Sequence, residues 1–232
     1  DGDGDVDIVE GTHSAVHLHE NLGRSALRSV NFAKPATIYV GGKIRRLSLE
    51  DMDLVGRVDV VVTAKMPNEI VWLQNFGSPA FSGPKLIGSS SHSWLDAVVT
   101  DLDGDGAPDI AAVDMAGRLV VSRNRLCGSF SWPRRVTTLA GAGWLQTGDL
   151  NGDLRPELLV VQGGNVYACD NRGGGYFFAP RVLAAASAAR AADIDGDGAL
   201  DLLLSSSGVL GYRRNDGAGG LLPFTRIGPA AV

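Results

Sequence analysis

An all-β fold made of repeated four-stranded units is predicted by three features of this sequence. An Asp-rich segment recurs along the chain, and a second marker ending in Asn moves in step with it. Each Asp segment is followed at once by a short aliphatic run of strand length.

The recurring segment reads Asp, any residue, Asp or Asn, Gly, Asp, Gly, two residues, an acid, then aliphatics. Its fullest copies run from Asp101 through Asp103, Asp105 and Asp109, and from Asp193 through Asp195, Asp197 and Asp201. A third copy has Asp149, Asn151, Asp153 and Glu157, with Leu154 where the second Gly stands elsewhere. A fourth keeps Asp51, Asp53 and Asp59 but places Val55 at the central position. The chain opens with Asp1, Asp3, Asp5 and Asp7, which align as a copy lacking its first two positions. The closing acids Asp7, Asp59, Asp109, Glu157 and Asp201 are 52, 50, 48 and 44 residues apart. The Asn marker keeps the same register at Asn21, Asn75, Asn124, Asn171 and Asn215.

Each repeat has about four strand-like runs, the content of one β-propeller blade. Leu95–Thr100 precedes an Asp loop, Val58–Thr63 follows one, Ile70–Leu73 comes after a turn, and Arg135–Leu139 closes a unit. The expected organisation is a partial blade over 1–41 and blades over 42–90, 91–140, 141–185 and 186–232. Residues 182–192 are mostly Ala, and propensity alone favours a helix there. The repeat register instead makes them the last strand of one blade and the first of the next, where small residues suit a crowded axis. The chain thus holds three strands of one blade and four further blades, either a fragment of a longer protein or a ring closed with few blades. The start inside a motif points to a fragment of a longer chain.

Carboxylates at positions 1, 3 and 5, with Gly at 6, curl a backbone around one hard cation, and calcium suits such an oxygen shell. The predicted ligands are Asp101, Asp103, Asp105, Asp109 and the carbonyl of Ala107, and likewise Asp193, Asp195, Asp197, Asp201 and the carbonyl of Ala199. A third site would use Asp149, Asn151, Asp153, Glu157 and the carbonyl of Arg155. A truncated fourth would use Asp1, Asp3, Asp5 and Asp7. The 51 loop, without a central ligand, is expected to be a turn only. An EF-hand opens in the same way but closes on Glu at position 12, where this chain has Ala112 and Leu204. A thrombospondin-type array would need regular cysteines.

These loops and the trailing WxxN-like marker resemble the FG-GAP/VCBS repeats of integrin α-subunits, fungal propeller lectins and many secreted proteins. The resemblance covers essentially the whole chain. It implies a propeller with calcium between the first two strands of each blade, an extracellular or cell-surface setting, and a role in adhesion or carbohydrate binding. A non-enzymatic module with a protein or glycan ligand is therefore expected. The alternative is the propeller domain of a secreted carbohydrate-active enzyme such as a polysaccharide lyase.

Other classes are argued against. Lys and Arg are scattered through a chain of net charge -5, so no nucleic-acid-binding block exists. No segment is apolar enough to span a bilayer. Cys127 and Cys169 occupy non-equivalent repeat positions and read as two isolated thiols rather than a disulfide. No nucleophile elbow, P-loop or dinucleotide fingerprint appears. His17 and His19 share a strand face without a third ligand. Trp72, Tyr212, Trp94 and Trp144 could stack on sugars, but packing between blades is the simpler role.

Overall fold

A computed structural model of the chain describes residues 3–24, 30–77, 79–91, 93–126 and 128–228. Every regular element among them is a β-strand. Asp1 and Cys127 lie outside the described residues.

Five antiparallel sheets follow one another along the sequence, and within each the strand order is the chain order. Sheet 1 has three strands, Ile8–Gly11, Ala15–His19 and Ala36–Val40. Sheet 2 has four: Lys43–Glu50, Asp59–Lys65, Glu69–Leu73 and Lys85–Ser89. Sheet 3 contains Trp94–Thr100, Asp109–Asp114, Arg118–Ser122 and Arg134–Thr138. Sheet 4 contains Trp144–Gly148, Glu157–Gln162, Asn165–Cys169 and Arg181–Ala185. Sheet 5 contains Ala188–Ala192, Asp201–Ser206, Val209–Arg213 and Thr225–Arg226. Two small hairpins, Asn21–Arg24 with Val30–Phe32 and Asn171–Gly173 with Tyr176–Phe177, sit outside the sheets. The alanine-rich stretch is two strands, as the repeat register requires and helix propensity does not.

The second strands explain the uninterrupted aliphatic runs. In Glu157–Gln162, Leu158 and Val160 pack in one core with Val98, Ala111, Val113 and Leu145. Leu159, from the opposite face of that strand, packs in another with Val166, Ala189 and Leu202. A strand buried on both faces has no solvent side and so shows no polar alternation.

The chain forms two compact units, residues 1–94 with 124–132, and residues 95–123 with 133–232. In the first, Val16 and Tyr39 of sheet 1 pack on Val60, Val62, Val71 and Leu73 of sheet 2. Burial, with a hydrogen bond from its hydroxyl to Glu69 Oε1 (2.9 Å), pushes the Tyr39 phenol up to about 12. The second unit holds the two cores around sheet 4. Cys169 is fully buried there, and desolvation pushes its thiol up to about 12, so it behaves as a small apolar side chain.

The Asn marker stitches the repeats. In the second unit Asn171 Nδ2 donates to Leu102 O (2.9 Å) and to Pro156 O (3.1 Å). Asn215 Nδ2 donates to Leu150 O (2.6 Å) and to Leu200 O (3.0 Å). Each amide thus ties the Asp loop of its own repeat to the loop of the repeat before. In the first unit Asn124 Nδ2 donates to Met52 O (2.7 Å) and Asn75 Nδ2 to Val58 O (2.9 Å).

Replacing Asn171 by Ala leaves two buried carbonyls without their donor. The expected cost is about 2 kcal/mol in denaturant unfolding, within the range for orphaned buried polar groups. Asn171→Asp, which lacks donors, is expected to lose at least as much.

Candidate cation-binding loops

The Asp loops join the first and second strands of sheets 2 to 5, and their backbone follows one plan. Position 4 is left-handed in every full copy (φ 60° at Leu54, 87° at Gly104, 73° at Gly152, 82° at Gly196), and so is position 6 (84° at Gly56, 88° at Gly106, 65° at Leu154, 90° at Gly198). Glycine adopts this region freely, whereas Leu54 and Leu154 hold it at a steric cost.

The side chain at position 1 organises the turn. Asp101 Oδ1 accepts from Gly104 N (2.7 Å) and its Oδ2 from Gly106 N (2.8 Å). Asp193 repeats this with Gly196 and Gly198, Asp149 with Gly152 and Leu154, and Asp51 with Val55 and Gly56. Position 5 accepts from the amide of position 7 in Asp105, Asp153 and Asp197. Asp3 accepts from Asp5 N in the same way (2.9 Å), so the opening residues form the tail of such a loop.

The closing acid is buried and doubly held. Asp59, Asp109, Glu157 and Asp201 are fully buried. One carboxylate oxygen accepts from the amide of position 2: Met52 N to Asp59 (3.1 Å), Leu102 N to Asp109 (3.0 Å), Leu150 N to Glu157 (2.8 Å) and Ile194 N to Asp201 (3.1 Å). The other accepts from the amide of the marker Asn, as in Asn75 N to Asp59 (2.7 Å) and Asn215 N to Asp201 (2.8 Å). Asn21 N donates to Asp7 in the same sense (2.8 Å). The sequence assigns this acid as a cation ligand, and the structure adds a second task, fastening the loop to the third strand's end.

Three groups of carboxylates come together with oxygen atoms within 4.8 Å of one another: Asp101, Asp103 and Asp109; Asp193, Asp195 and Asp197; and Asp51, Asp53 and Asp59. The third is the loop that its sequence marks as a plain turn. Loss of the central acid at Val55 leaves the other three gathered, because position 1 still binds the turn amides. In the 193 loop the gathered trio omits Asp201. In the 149 loop Asn151 donates through Nδ2 to Glu157 Oε1 (3.2 Å), so an amide replaces one carboxylate.

The crowding has an electrostatic signature. Desolvation first, then the Asp105 charge, raises the Asp103 carboxyl above its usual range. Burial likewise raises Asp59 and Glu157, against the lowering effect of their backbone donors. Three of the loops also have a partner on the residue preceding the marker Asn, and in the 51 loop it is Gln74, whose Nε2 donates to Asp53 Oδ2 (2.5 Å). Arg123 Nη1 lies 3.5 Å from Asp103 Oδ2, and Arg214 Nη1 lies 3.4 Å from Asp195 Oδ2. A cationic group thus already stands against two of the acid clusters, and the hard oxygen donors fit a divalent ion.

The other candidates separate. His19 pairs with Glu10 (2.9 Å) and His17 with Thr37 (3.1 Å), and neither joins a metal-capable group among the described residues. Trp72 and Trp94 are buried core residues. Gly128 at φ 70° sits on the Trp72 ring, where a Cβ would collide with the indole. Trp144 is partly exposed and carries Arg190 over its ring, 5.4 Å from the centroid.

Fold and loops define a class: a repeat protein of antiparallel β-sheets, the four-stranded ones each with an acidic loop between the first two strands. A family model described as FG-GAP-like repeat matches residues 51–112, 101–160 and 149–204, more than half of the sequence, and the chain belongs to that family. No curated protein sequence matches it.

Among solved structures it is similar to a Burkholderia pseudomallei lectin, BP39L (TM-score 0.73, 19% identity, 97% of this chain and 66% of that one). It is also similar to an Agrocybe aegerita lectin described as specific for non-reducing terminal N-acetylglucosamine (0.51, 18%, 97% and 77%). A third is the V. cholerae biofilm matrix protein Bap1 (0.51, 17%, 94% and 36%). The chain therefore spans only part of each of these proteins.

Leu154 is 90% exposed and its strain serves no packing. Leu154→Gly is expected to stabilise the protein by about 1 kcal/mol, the left-handed penalty of a side chain less the backbone entropy of glycine. Thermal unfolding of the two proteins measures the difference, and Gly106→Leu is expected to shift stability the opposite way.

Proposed function

We propose that this chain is a segment of a calcium-stabilised β-propeller that serves as a non-enzymatic recognition module for a glycan or protein outside the cell. The observation that carries the reading is the gathering of three carboxylates at the mouths of sheets 2, 3 and 5. Asp101, Asp103, Asp105 and Asp109 with the carbonyl of Ala107 would hold one ion. Asp193, Asp195, Asp197 and Asp201 with the carbonyl of Ala199 would hold a second. Asp149, Asn151, Asp153, Glu157 and the carbonyl of Arg155 form a weaker third set, and Asp3, Asp5 and Asp7 the visible part of a fourth. Asp51, Asp53 and Asp59 join the candidates on geometry alone.

Bound calcium supplies positive charge that offsets the mutual repulsion of the gathered acids and stiffens the loops. Arg123 and Arg214 lie beside Asp103 and Asp195 and would swing away as those oxygens turn to the ion. The sequential four-stranded sheets support assignment as blades, and the likeness to two lectins supports glycan as a ligand class. The extracellular assignment fits loops suited to the millimolar calcium found there. Among the described residues no helix is long and apolar enough to cross a membrane.

Calorimetric titration of calcium into chelator-stripped protein tests the proposal. Two or three ions are expected to bind, with a rise in melting temperature, because a ligand selective for the folded state stabilises it. Asp103→Ala and Asp195→Ala are each expected to remove one binding event and part of that rise. A titration without heat or thermal shift contradicts the calcium reading, and release of cleaved saccharide from a bound glycan would contradict the non-enzymatic one.

A further inference from the structure

A cavity of about 520 Å³ lies in the second unit between sheets 4 and 5, at the end of the strands opposite the Asp loops. Strand Glu157–Gln162 shows the separation: its Asp loop enters at Glu157, and the Gly163–Gly164 turn lining the cavity follows Gln162. Six residues of strand place the two features roughly 17–20 Å apart. The volume falls within the range of small-molecule sites and accommodates one or two sugar rings.

Its lining combines an aromatic ring with a few polar groups. Trp144 contributes the indole and Arg190 a guanidinium over it, 5.4 Å from the ring centroid. Gln162 is anchored by Nε2 donating to Ala140 O (2.7 Å), which leaves Oε1 as an acceptor. Ser187 donates through its hydroxyl to Ser205 O (2.9 Å) and keeps its oxygen lone pairs.

Arg190 decides the ligand class. It is exposed, and among the described residues its one recorded partner is the Trp144 ring. No acid lines the cavity, although the chain as a whole is acidic. A cation–ring contact uses none of the guanidinium's N–H donors, which stay free to receive a carboxylate in two parallel hydrogen bonds. An indole beside such a fork suits a ring with one apolar face and one carboxylate.

We propose that this cavity binds a carboxylated saccharide, a uronic-acid residue, with Arg190 gripping the carboxylate and Trp144 packing on the sugar ring. The inference rests on the glycan arm of the function proposed above and is independent of the calcium loops.

Methyl β-glucuronide and methyl β-glucoside, identical but for the carboxylate, test it by ligand-observed NMR titration against the whole chain. The glucuronide is expected to bind about tenfold more tightly, the value of one good charge-assisted contact. Arg190→Gln, a change at an exposed position, is expected to erase that preference with the melting temperature unchanged. Trp144→Ala is expected to weaken both sugars.

Equal affinity for the two sugars, or a glucuronide preference that survives Arg190→Gln, overturns the proposal. Failure of both sugars to bind overturns the site itself. Calcium titration of the same sample then reports separately on the loops, so loss of the cavity leaves the cation reading standing, and a neutral-sugar ligand found on a glycan array leaves the recognition reading standing.

Discussion

A buried carboxylate with two backbone donors is the constraint on which each repeat depends. Asp59, Asp109, Glu157 and Asp201 sit fully inside the protein, and an ionised group there is tolerable only when its oxygens are satisfied. One oxygen holds the start of the Asp loop, and the other holds the chain at the marker Asn, 16 residues further on for Asp59 and 14 for Asp201. The acid therefore fixes where the loop begins, where the third strand ends and how the two meet. Moving it by one residue would turn the carboxylate to the other face of the second strand, into an apolar core.

From that fixed point the rest of the loop follows. Position 1 collects the turn amides, positions 4 and 6 take left-handed backbone, and in three loops two further carboxylates gather beside position 1, whereas Asp105 and Asp201 stay outside those groups. Burial, and after it the like charge that the arrangement concentrates, raises the Asp103 carboxyl, and a cation replacing Arg123 would relieve that repulsion. In the second unit the marker Asn carries the constraint onward. Asn171 links the 101 loop to the 149 loop, and Asn215 links the 149 loop to the 193 loop. An ion that ordered one loop would act through this hydrogen bond on its neighbour.

Much of this was legible in the residues. The Asp loops and the Asn marker occur in register because a single acid binds both, so two motifs in sequence are one contact in space. Residues 182–192 were legible only from that register, since local propensity points to helix while burial between sheets demands strands of small residues. The 51 loop keeps its turn despite losing one acid. Val55 removes a ligand, yet the fold of the turn rests on Asp51 and Asp59, and these persist. The double use of the closing acid was hidden because its second partner is a backbone amide, which has no sequence signature. The Trp144 cavity was hidden for a related reason: Trp144, Gln162 and Arg190 come from three strands whose residues have no counterpart spacing in other repeats. Trp144 reads from sequence as one more packing aromatic, and its partial exposure at the cavity sets it apart from the buried Trp72 and Trp94.

The central claim is that the acid loops are cation sites braced by the closing acid rather than decorated turns. Hydrogen–deuterium exchange, read by mass spectrometry on the whole chain with calcium and with chelator, addresses it most directly. The account predicts that calcium slows exchange across 101–109 and 193–201, most at the amides of Gly106 and Gly198, with smaller protection reaching 149–157 through the Asn links and little change in the interiors of the second strands. Identical exchange in the two conditions, at calcium concentrations well above millimolar, would contradict it, and the loops would then be turns held by their own side chains alone.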